Sequence, residues 1–385
     1  AQDIIRFYEK GIDRIQDRWM GRGDTGDAWK PAEHPYADDL DLFGEGSLFE
    51  LLNTTRTQIG GSTLASWLTR SAETDTIVRR QAAVAELRGK LELRERIALT
   101  AVEIQSDLHP IRLRHWAEAP IEHPSSLEVW LPRILTVVSV VCFVLLFKLD
   151  IAYSYVPFMT SFIVNMIVLR AYAKRAVPIT QKLDGALQDL RLFAHLAEIF
   201  EQETFDSELL IAHQQRLVSG EESASVAIKK LTTLFTWMEL DRNQMFYPFG
   251  VMCFWIVRFA HRIESWRERH GTDIPGWMQS LGEIESLSAL AAYAYEHPED
   301  PFPEFLGGGD PRIIAEDLKH PLLPAATCVP NPIRLDSAQS LLIVSGSNMS
   351  GKSTYLRTIG INIVLAMTGA PVCCASMKLT PCTVG

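Results

Sequence analysis

The chain has 385 residues, a length that suggests two or three domains with ample hydrophobic core. Its formal net charge of −10 and its pI near 5.5 argue against a surface that coats nucleic acid nonspecifically, although a local basic patch is compatible with both values. The six cysteines show no C-x-x-C spacing, so neither a zinc site nor a disulfide scaffold is indicated and reduced thiols are favoured.

The first 130 residues contain two predicted helical regions. Residues 1–34 contain DIIRFYEKGIDRIQDRWM, whose apolar side chains fall near helical spacing, followed by the breaker-rich GRGDTGD. We interpret them as an amphipathic helix and a linker. From Gly46 to about Leu113 the apolar spacing is helical again with few internal breakers, and we predict that residues 35–130 form a packed helical region.

Two uncharged runs follow, at residues 134–147 and 151–169. The second run, with 19 residues, is long enough to span a bilayer, whereas the first, with 14, needs its neighbours to reach that length. Arg133 and Lys148 would then extend along the hydrocarbon toward water. Three basic residues between 170 and 175 are typical of a cytoplasmic flank. The pattern predicts a transmembrane hairpin over residues 131–170.

A pair of buried core helices is the alternative for the same segment. It is favoured by the short first run and by Pro157 inside the second. The hairpin is preferred because two adjacent helices that are apolar on every face are uncommon within a soluble core.

Residues 171–298 are again predicted to be helical, with stretches such as KLDGALQDLRLFAHLAEIF. A third uncharged run, residues 245–257, has only 13 residues and contains Pro248 and Gly250, so a buried helix is favoured over a membrane span. The Pro/Gly-rich EHPEDPFPEFLGGGDP then marks a boundary, and residues 299–385 are predicted to begin a further domain.

The most specific signal is GSNMSGKS at residues 346–353, which matches G-x-x-x-x-G-K-[ST] at every fixed position. Gly346 and Gly351 permit the tight path that turns successive N–H groups toward phosphate oxygens. Lys352 can reach the β- and γ-phosphates as a mobile point charge, and Ser353 offers a hydroxyl to Mg²⁺. The loop lies between SLLIVS, predicted to be a buried parallel strand, and KSTYLRTIGINIVLAMTG, predicted to be a helix. This order argues against a chance match and predicts an ATP–Mg²⁺ site at the helix N-terminus.

The stretch GSNMSGKSTYLR resembles the nucleotide loop of the MutS family of DNA mismatch repair ATPases, in which Asn-Met precedes a small residue and Gly-Lys-Ser-Thr. EDLKHPLLP is similar to the family's His-Pro element through His320 and Pro321, and VPNPIRL is similar to the next segment, with Asn331 at the matching Asn. GSLFELLNTTRTQIGGSTLASWL and DTIVRRQAAVAEL resemble the start of the helical core. LGEIESLSALAAYA resembles the helix that enters the ATPase domain.

The resemblance implies a mostly α fold. A helical core and lever region, interrupted by the apolar hairpin, would lead into the start of an α/β P-loop ATPase domain. It implies that Lys352 is the catalytic residue and that Ser353 is the metal ligand. The implied nucleotide-binding residues are Gly346, Ser347, Asn348, Met349, Ser350, Gly351, Lys352, Ser353, Thr354, His320 and Asn331.

The resemblance also implies partners: ATP, Mg²⁺, a second copy in a homodimer and, through the hairpin, membrane lipid. DNA binding stays open, and no partner protein is indicated. The hairpin resembles the membrane-associated branch of MutS-related proteins, which implies the inner (cytoplasmic) membrane with a cytosolic ATPase domain; a cytoplasmic location is the alternative. We expect the family's acidic Walker B strand and signature loop to lie beyond Gly385, so these residues alone are not expected to hydrolyse ATP efficiently.

Three functional interpretations follow from these features. The leading one is a membrane-tethered MutS-like ATPase in which ATP binding rearranges helical arms. The second is a soluble DNA-binding MutS homologue whose apolar runs are core. The third is a membrane-bound helical scaffold in which nucleotide regulates assembly, with no role in mismatch repair.

Overall fold

A computed structural model describes residues 2–102, 110–120, 125–148, 151–181, 186–307, 312–347 and 350–382. The described residues are mostly helical. The helices are α1 Gln2–Ile15, α2 Leu48–Leu52, α3 Gln58–Thr69, α4 Thr74–Gly89, α5 Leu91–Val102, α6 Pro110–Glu118, α7 Ser126–Leu145, α8 Ile151–Gln181, α9 Ala186–Gln202, α10 Glu208–Val218, α11 Ala224–Glu239, α12 Tyr247–Cys253, α13 Trp255–His270, α14 Ile274–Glu296 and α15 Lys352–Thr368. The strands are β1 Glu304–Phe305, β2 Ile313–Leu318, β3 Asn331–Leu335 and β4 Ser376–Leu379.

The chain divides into two compact units, each built from separate stretches of sequence. Unit 1 comprises Ala1–Glu103, Ile199–Val218 and Met278–Gly385. Unit 2 comprises Ile104–Glu198 and Ser219–Trp277. The mostly α character and the predicted amphipathic N-terminal helix, α1, are confirmed.

A buried carboxylate joins distant parts of unit 1. Glu285 on α14 accepts hydrogen bonds from the backbone N–H of Arg56 at 2.9 Å and of Thr57 at 3.3 Å, and a further one from the Thr57 hydroxyl. Thr57 Oγ1 also accepts from the Gly60 N–H at 3.0 Å and so caps the start of α3. A Cβ at Gly60 would lie 2.7 Å from Glu285 Oε2, so the close approach of α3 to α14 requires glycine there.

The strands form one sheet in unit 1, in the order β1-β4-β2-β3. β1 pairs with β4 in parallel, whereas β2 runs antiparallel to both β4 and β3. The register of β2 with β3 shifts between Ala315 and Leu318, where Asp317 has φ 52°. This irregularity bends the end of β2 just before the segment that carries His320.

Residues 340–345 lie outside this sheet, so the prediction of a buried parallel strand there is wrong. The side chains of Leu341 and Ile343 are 72% and 78% exposed, and no strand of the described chain pairs with this segment. A parallel strand is buried only when neighbouring strands and covering helices enclose it, and β3 is paired with β2 alone. The described residues therefore include the helix predicted after the loop but not the strand predicted before it.

Unit 2 contains the two uncharged runs, which form helices α7 and α8 packed against each other. A capping box made by Ser125 and Glu128 starts α7. Only 17% of the most apolar window of α7 and 11% of that of α8 is buried, although both helices are long and apolar enough to cross a membrane. These fractions argue against the alternative of two buried core helices.

The third uncharged run is two helices rather than one buried helix. α12 ends at Cys253, Phe254 adopts the left-handed conformation with φ 51°, and α13 begins at Trp255. Val251 and Phe254 are fully buried, but Met245 is 87% exposed. The expectation of a buried helix is therefore correct for one face only.

A carboxyl group near the end of α14 predicts a pH-dependent stability. Burial raises the pKa of Asp300 from 3.8 to about 6, against the opposing effects of His297, Lys319 and a hydrogen bond from the Tyr293 hydroxyl. Between these two pH values the unfolded chain binds fewer protons than the folded chain, so stability falls as pH rises from about 4 to about 6.

We expect Asp300→Asn to remove this fall, which amounts to about 1–3 kcal/mol over the interval. Urea unfolding of both proteins at pH 4, 5, 6 and 7 measures it, with Asp206→Asn at an exposed position as the control. Curves for Asp300→Asn and the unsubstituted chain that stay parallel over this range would contradict the assignment.

Candidate phosphate-binding site

The predicted phosphate-binding loop leads directly into α15. Gly351 has φ 82°, in the left-handed region that favours glycine, and the helix begins at the next residue, Lys352. Of the predicted loop residues, Asn348 and Met349 lie outside the described residues. The helix that was predicted after the loop is confirmed, and it ends at Gly369 with φ 92°.

The Lys352 side chain folds back over its own loop. Its ammonium Nζ donates hydrogen bonds to the carbonyl oxygens of Gly346 and Ser347, both at 2.6 Å. Two carbonyl dipoles thus hold the positive charge beside the first turn of α15. The ammonium keeps a third N–H, and exchange of either carbonyl for a phosphate oxygen requires only rotation of a flexible side chain.

The N-terminus of α15 has the electrostatics of an anion site. Within the described residues no side chain caps its first turn, and that turn contains no acidic residue. The backbone N–H groups there carry the positive end of the helix dipole. Ser353 and Thr354 are exposed on the first turn, so their hydroxyls are accessible. Phosphate and a hydroxyl-bound Mg²⁺ fit this arrangement.

His320 is buried close to α15. Its backbone N–H donates to Cys328 Sγ at 3.2 Å, and its Nδ1 accepts from the Leu322 N–H at 3.3 Å. Burial lowers the pKa of the imidazole, the nearby Asp41 carboxylate opposes that effect, and the Arg357 guanidinium adds to it. Arg357 lies on α15 and pairs with Asp41 at 3.0 Å. The structure therefore brings His320 to the same part of α15 as this ion pair.

Asn331 is exposed at the start of β3, where its side-chain amide donates to the Val329 carbonyl at 3.1 Å. The neighbouring Pro332 carbonyl accepts a hydrogen bond from the Tyr355 hydroxyl at 2.9 Å. Tyr355 belongs to the first turn of α15, so the segment of Asn331 also reaches the beginning of this helix.

Sequence reasoning missed Asn362, the residue that fixes α15 against the segments around it. Its side chain is fully buried and donates to the carbonyls of Lys319 at 2.9 Å and Thr358 at 2.8 Å. Its Oδ1 accepts from the Cys373 N–H at 2.8 Å. An asparagine between Ile361 and Ile363 in an apolar helix was the available signal, because a buried amide there needs partners on other segments.

Two thiols precede strand β4, of which Cys373 is half-buried and Cys374 is buried. Burial raises the pKa of the Cys373 and Cys374 thiols to about 12, so both stay protonated at neutral pH and neither is a nucleophile. A cavity of about 480 Å³ in unit 1 is lined by residues that include Tyr8, Arg56 and Glu285, with no residue of the loop among them.

Known proteins resemble this chain over part of its length. The probable DNA mismatch repair protein Msh6 of Drosophila melanogaster is 29% identical over 126 residues, which are 32% of this chain and 10% of that protein. The DNA mismatch repair protein MutS of Synechococcus sp. is 36% identical over 110 residues, 27% of this chain and 12% of that protein. Over these segments the chain is similar to DNA mismatch repair proteins of the MutS family.

A third relative matches a longer stretch of this chain. The DNA mismatch repair protein MutS 1 of Halobacterium salinarum is 32% identical over 165 residues, 39% of this chain and 18% of that protein. The chain therefore spans between about a tenth and a fifth of the relatives that it matches. No protein-family model matches it.

The position of Asn362 predicts a large loss of stability on Asn362→Leu. The leucine fits the volume but leaves the Lys319 carbonyl and the Cys373 N–H without their partner, at a cost of about 2–4 kcal/mol. Urea unfolding measures the change, and Asn331→Leu at the exposed amide is the matched control. Equal destabilisation by the two substitutions would show that Asn362 does not fix the helix.

Proposed function

We propose that this MutS-like chain binds ATP through residues 346–354 and is tethered to a membrane by α7 and α8. ATP binding would then change the position of the helical arms. The observation that supports ATP binding is the start of α15, where a helix N-terminus without a side-chain cap coincides with Lys352 and the G-x-x-x-x-G-K-[ST] loop.

Each loop residue has a distinct task in this proposal. Gly346 and Gly351 let the backbone N–H groups converge on phosphate oxygens, Lys352 exchanges its carbonyl partners for the β- and γ-phosphates, and Ser353 binds Mg²⁺ through its hydroxyl. Bound Mg²⁺ supplies neutralisation of phosphate charge. His320 and Asn331 are assigned to the nucleoside side, because both of their segments reach the first turns of α15.

Membrane tethering is supported by an inversion of polarity in α7 and α8. Ser139 and Asn165 are 1% and 0% exposed and bond to each other at 2.8 Å between Asn165 Nδ2 and Ser139 Oγ. Large apolar side chains cover the outside instead, with Val137 63% and Ile167 65% exposed. A helix pair in water buries its apolar residues, whereas a pair in lipid turns its polar residues toward each other.

DNA binding and dimer formation are carried over from the family as parts of the proposal. The relatives are named for DNA mismatch repair, and the net charge of −10 confines any DNA contact to a local basic surface. The inner membrane with a cytosolic nucleotide site is the proposed location. A measurement of ATP hydrolysis distinguishes this proposal from the scaffold alternative, because the scaffold requires negligible hydrolysis by the protein on membranes.

Lys352→Ala tests the nucleotide site. The substitution removes the charge that would meet the β- and γ-phosphates, and we expect at least a tenfold weaker affinity for a fluorescent ATP analogue, about 1.4 kcal/mol. Equilibrium titration with Mg²⁺ present measures it. Lys378→Ala, at an exposed lysine on β4, is the control and should leave the affinity unchanged. Equal affinities for the Lys352 variant and the control would refute the assignment.

Val141→Asp tests the tether. An aspartate near the middle of a membrane helix costs about 2.5–3.5 kcal/mol, so we expect the variant to leave the carbonate-resistant membrane pellet in which the unsubstituted protein is found. Val226→Asp is the matched control, because Val226 is a similarly exposed valine, 44% against 51%, on helix α11. An unsubstituted protein that is released by carbonate, or a Val141→Asp variant that stays in the pellet, argues against the hairpin.

A further inference from the structure

We propose that residues 243–257, which include α12, form a second membrane element that inserts into the lipid headgroup and upper acyl region beside α7 and α8 without crossing the bilayer. This inference rests on the proposed tether and adds a lipid contact that the sequence interpretation assigned to protein core. The partner is a phospholipid surface that carries anionic headgroups.

The length and composition of the segment fit the membrane interface. Residues 243–257 form 15 successive uncharged residues between Arg242 and Arg258. A helical span needs about 20 residues, so this run enters lipid without reaching the other side. It contains Phe246, Tyr247, Phe249, Phe254 and Trp255, and aromatic residues, tyrosine and tryptophan above all, are enriched where membranes meet water.

One face of the segment is apolar and exposed, while the other packs against the hairpin. Met245, Tyr247 and Phe249 are 87%, 46% and 54% exposed. Val251 and Phe254 are fully buried, in a cluster with Leu169 and Val257 against which Leu135, Phe162 and Met166 pack. The exposed apolar surface is therefore fixed in place by contacts with α7 and α8.

A buried amide fastens the end of α12 to the hairpin. Asn165 Nδ2, already bonded to Ser139, lies 3.4 Å from the Met252 carbonyl oxygen. Met252 precedes the break in the helix at Phe254, where the backbone turns left-handed. In lipid, a carbonyl at such a break needs a protein partner, because water is not at hand to supply one.

The depth of this contact follows from helix geometry. Asn165 lies five residues before Arg170 on α8, and Ser139 lies six residues after Arg133 on α7. At 1.5 Å per residue the contact is about 8–9 Å below these exposed arginines. Interfacial helices lie about 5–10 Å into the boundary of headgroups and acyl chains.

Basic side chains lie at the level where headgroups are expected. Arg258, the first charge after the uncharged run, donates from Nη2 to Thr136 Oγ1 at 3.3 Å, which places it near the start of the apolar part of α7. Arg133 and Arg170 are exposed at the corresponding ends of α7 and α8. These three cations match anionic phospholipid headgroups.

The test measures the depth of single labelled cysteines in the full chain, with the six native cysteines replaced. Phe249→Cys, labelled with nitrobenzoxadiazole, is reconstituted in vesicles of phosphatidylcholine and phosphatidylglycerol. We expect its fluorescence to be quenched more strongly by lipids with a nitroxide at acyl carbon 5 than at carbon 12. Val141→Cys, in the middle of the uncharged run at residues 134–147, should show the reverse order. Ser265→Cys, exposed on α13, should be quenched by neither lipid.

The three labels separate failure of this inference from failure of the tether. If Val141→Cys escapes quenching, the hairpin is not in lipid and the proposed tether is wrong. If Val141→Cys is quenched but Phe249→Cys behaves like Ser265→Cys, α12 lies in water and this inference alone fails. If Phe249→Cys matches Val141→Cys, α12 lies too deep for an interfacial element and the inference is overturned.

A second variant tests the role of Asn165 and does not depend on the absolute depth. Asn165→Leu removes the contact with the Met252 carbonyl while keeping the volume and apolar character of α8. We expect quenching of the Phe249→Cys label by aqueous iodide to rise about twofold or more, with the Val141→Cys label unchanged. Unchanged iodide quenching at position 249 would show that Asn165 does not hold α12 in place.

Discussion

The buried carboxylate of Glu285 is the interaction on which unit 1 depends. It is 2% exposed, yet it accepts three hydrogen bonds from Arg56 and Thr57, more than 200 residues away in sequence. Burial raises its pKa, which these hydrogen bonds and the Arg56 charge oppose. Removing any donor would leave the buried carboxylate with one hydrogen bond fewer, so the α3–α14 junction is specified by polar pairing as well as by apolar packing. The cost of a misplaced charge makes this geometry specific.

In unit 2, helices α7 and α8 bury polar side chains and expose apolar ones. In α7 and α8 the polar contact between Ser139 and Asn165 lies inside, and valine and isoleucine side chains lie outside. In water the reverse arrangement would be more stable, because burying an exposed apolar side chain stabilises the folded protein by about 1.5–3 kcal/mol. The two units therefore have different requirements for their surroundings, and the membrane tether is the proposal that meets both. Asn165 also contacts the Met252 carbonyl, so the end of α12 is joined to the hairpin.

Local sequence pattern predicted the elements whose determinants are local. The two uncharged runs predicted helices α7 and α8. The glycine-lysine loop predicted the helix that begins at Lys352 and is capped at its C-terminus by Gly369. The local sequence pattern did not predict contacts between residues that are far apart in the sequence. The strand expected at residues 340–345 needs neighbouring strands, which its own apolar residues cannot supply, and the described sheet offers it none. The bonds of Asn362 to Lys319 and Cys373 join segments that no periodicity connects.

If a nucleotide binds at the start of α15 as proposed, this helix is the route by which it would affect the helical core. From Thr358 to Thr368 nearly every side chain is buried, and the helix packs on α3 and α4. At its end, a Cβ on Gly369 would lie 2.6 Å from Arg80 Cβ, and the Arg80 guanidinium stacks on Trp67 at 3.7 Å. Because most of α15 is buried in these contacts, we expect a shift of Lys352 toward phosphate either to stay within the loop or to move α3 and α4 with the helix.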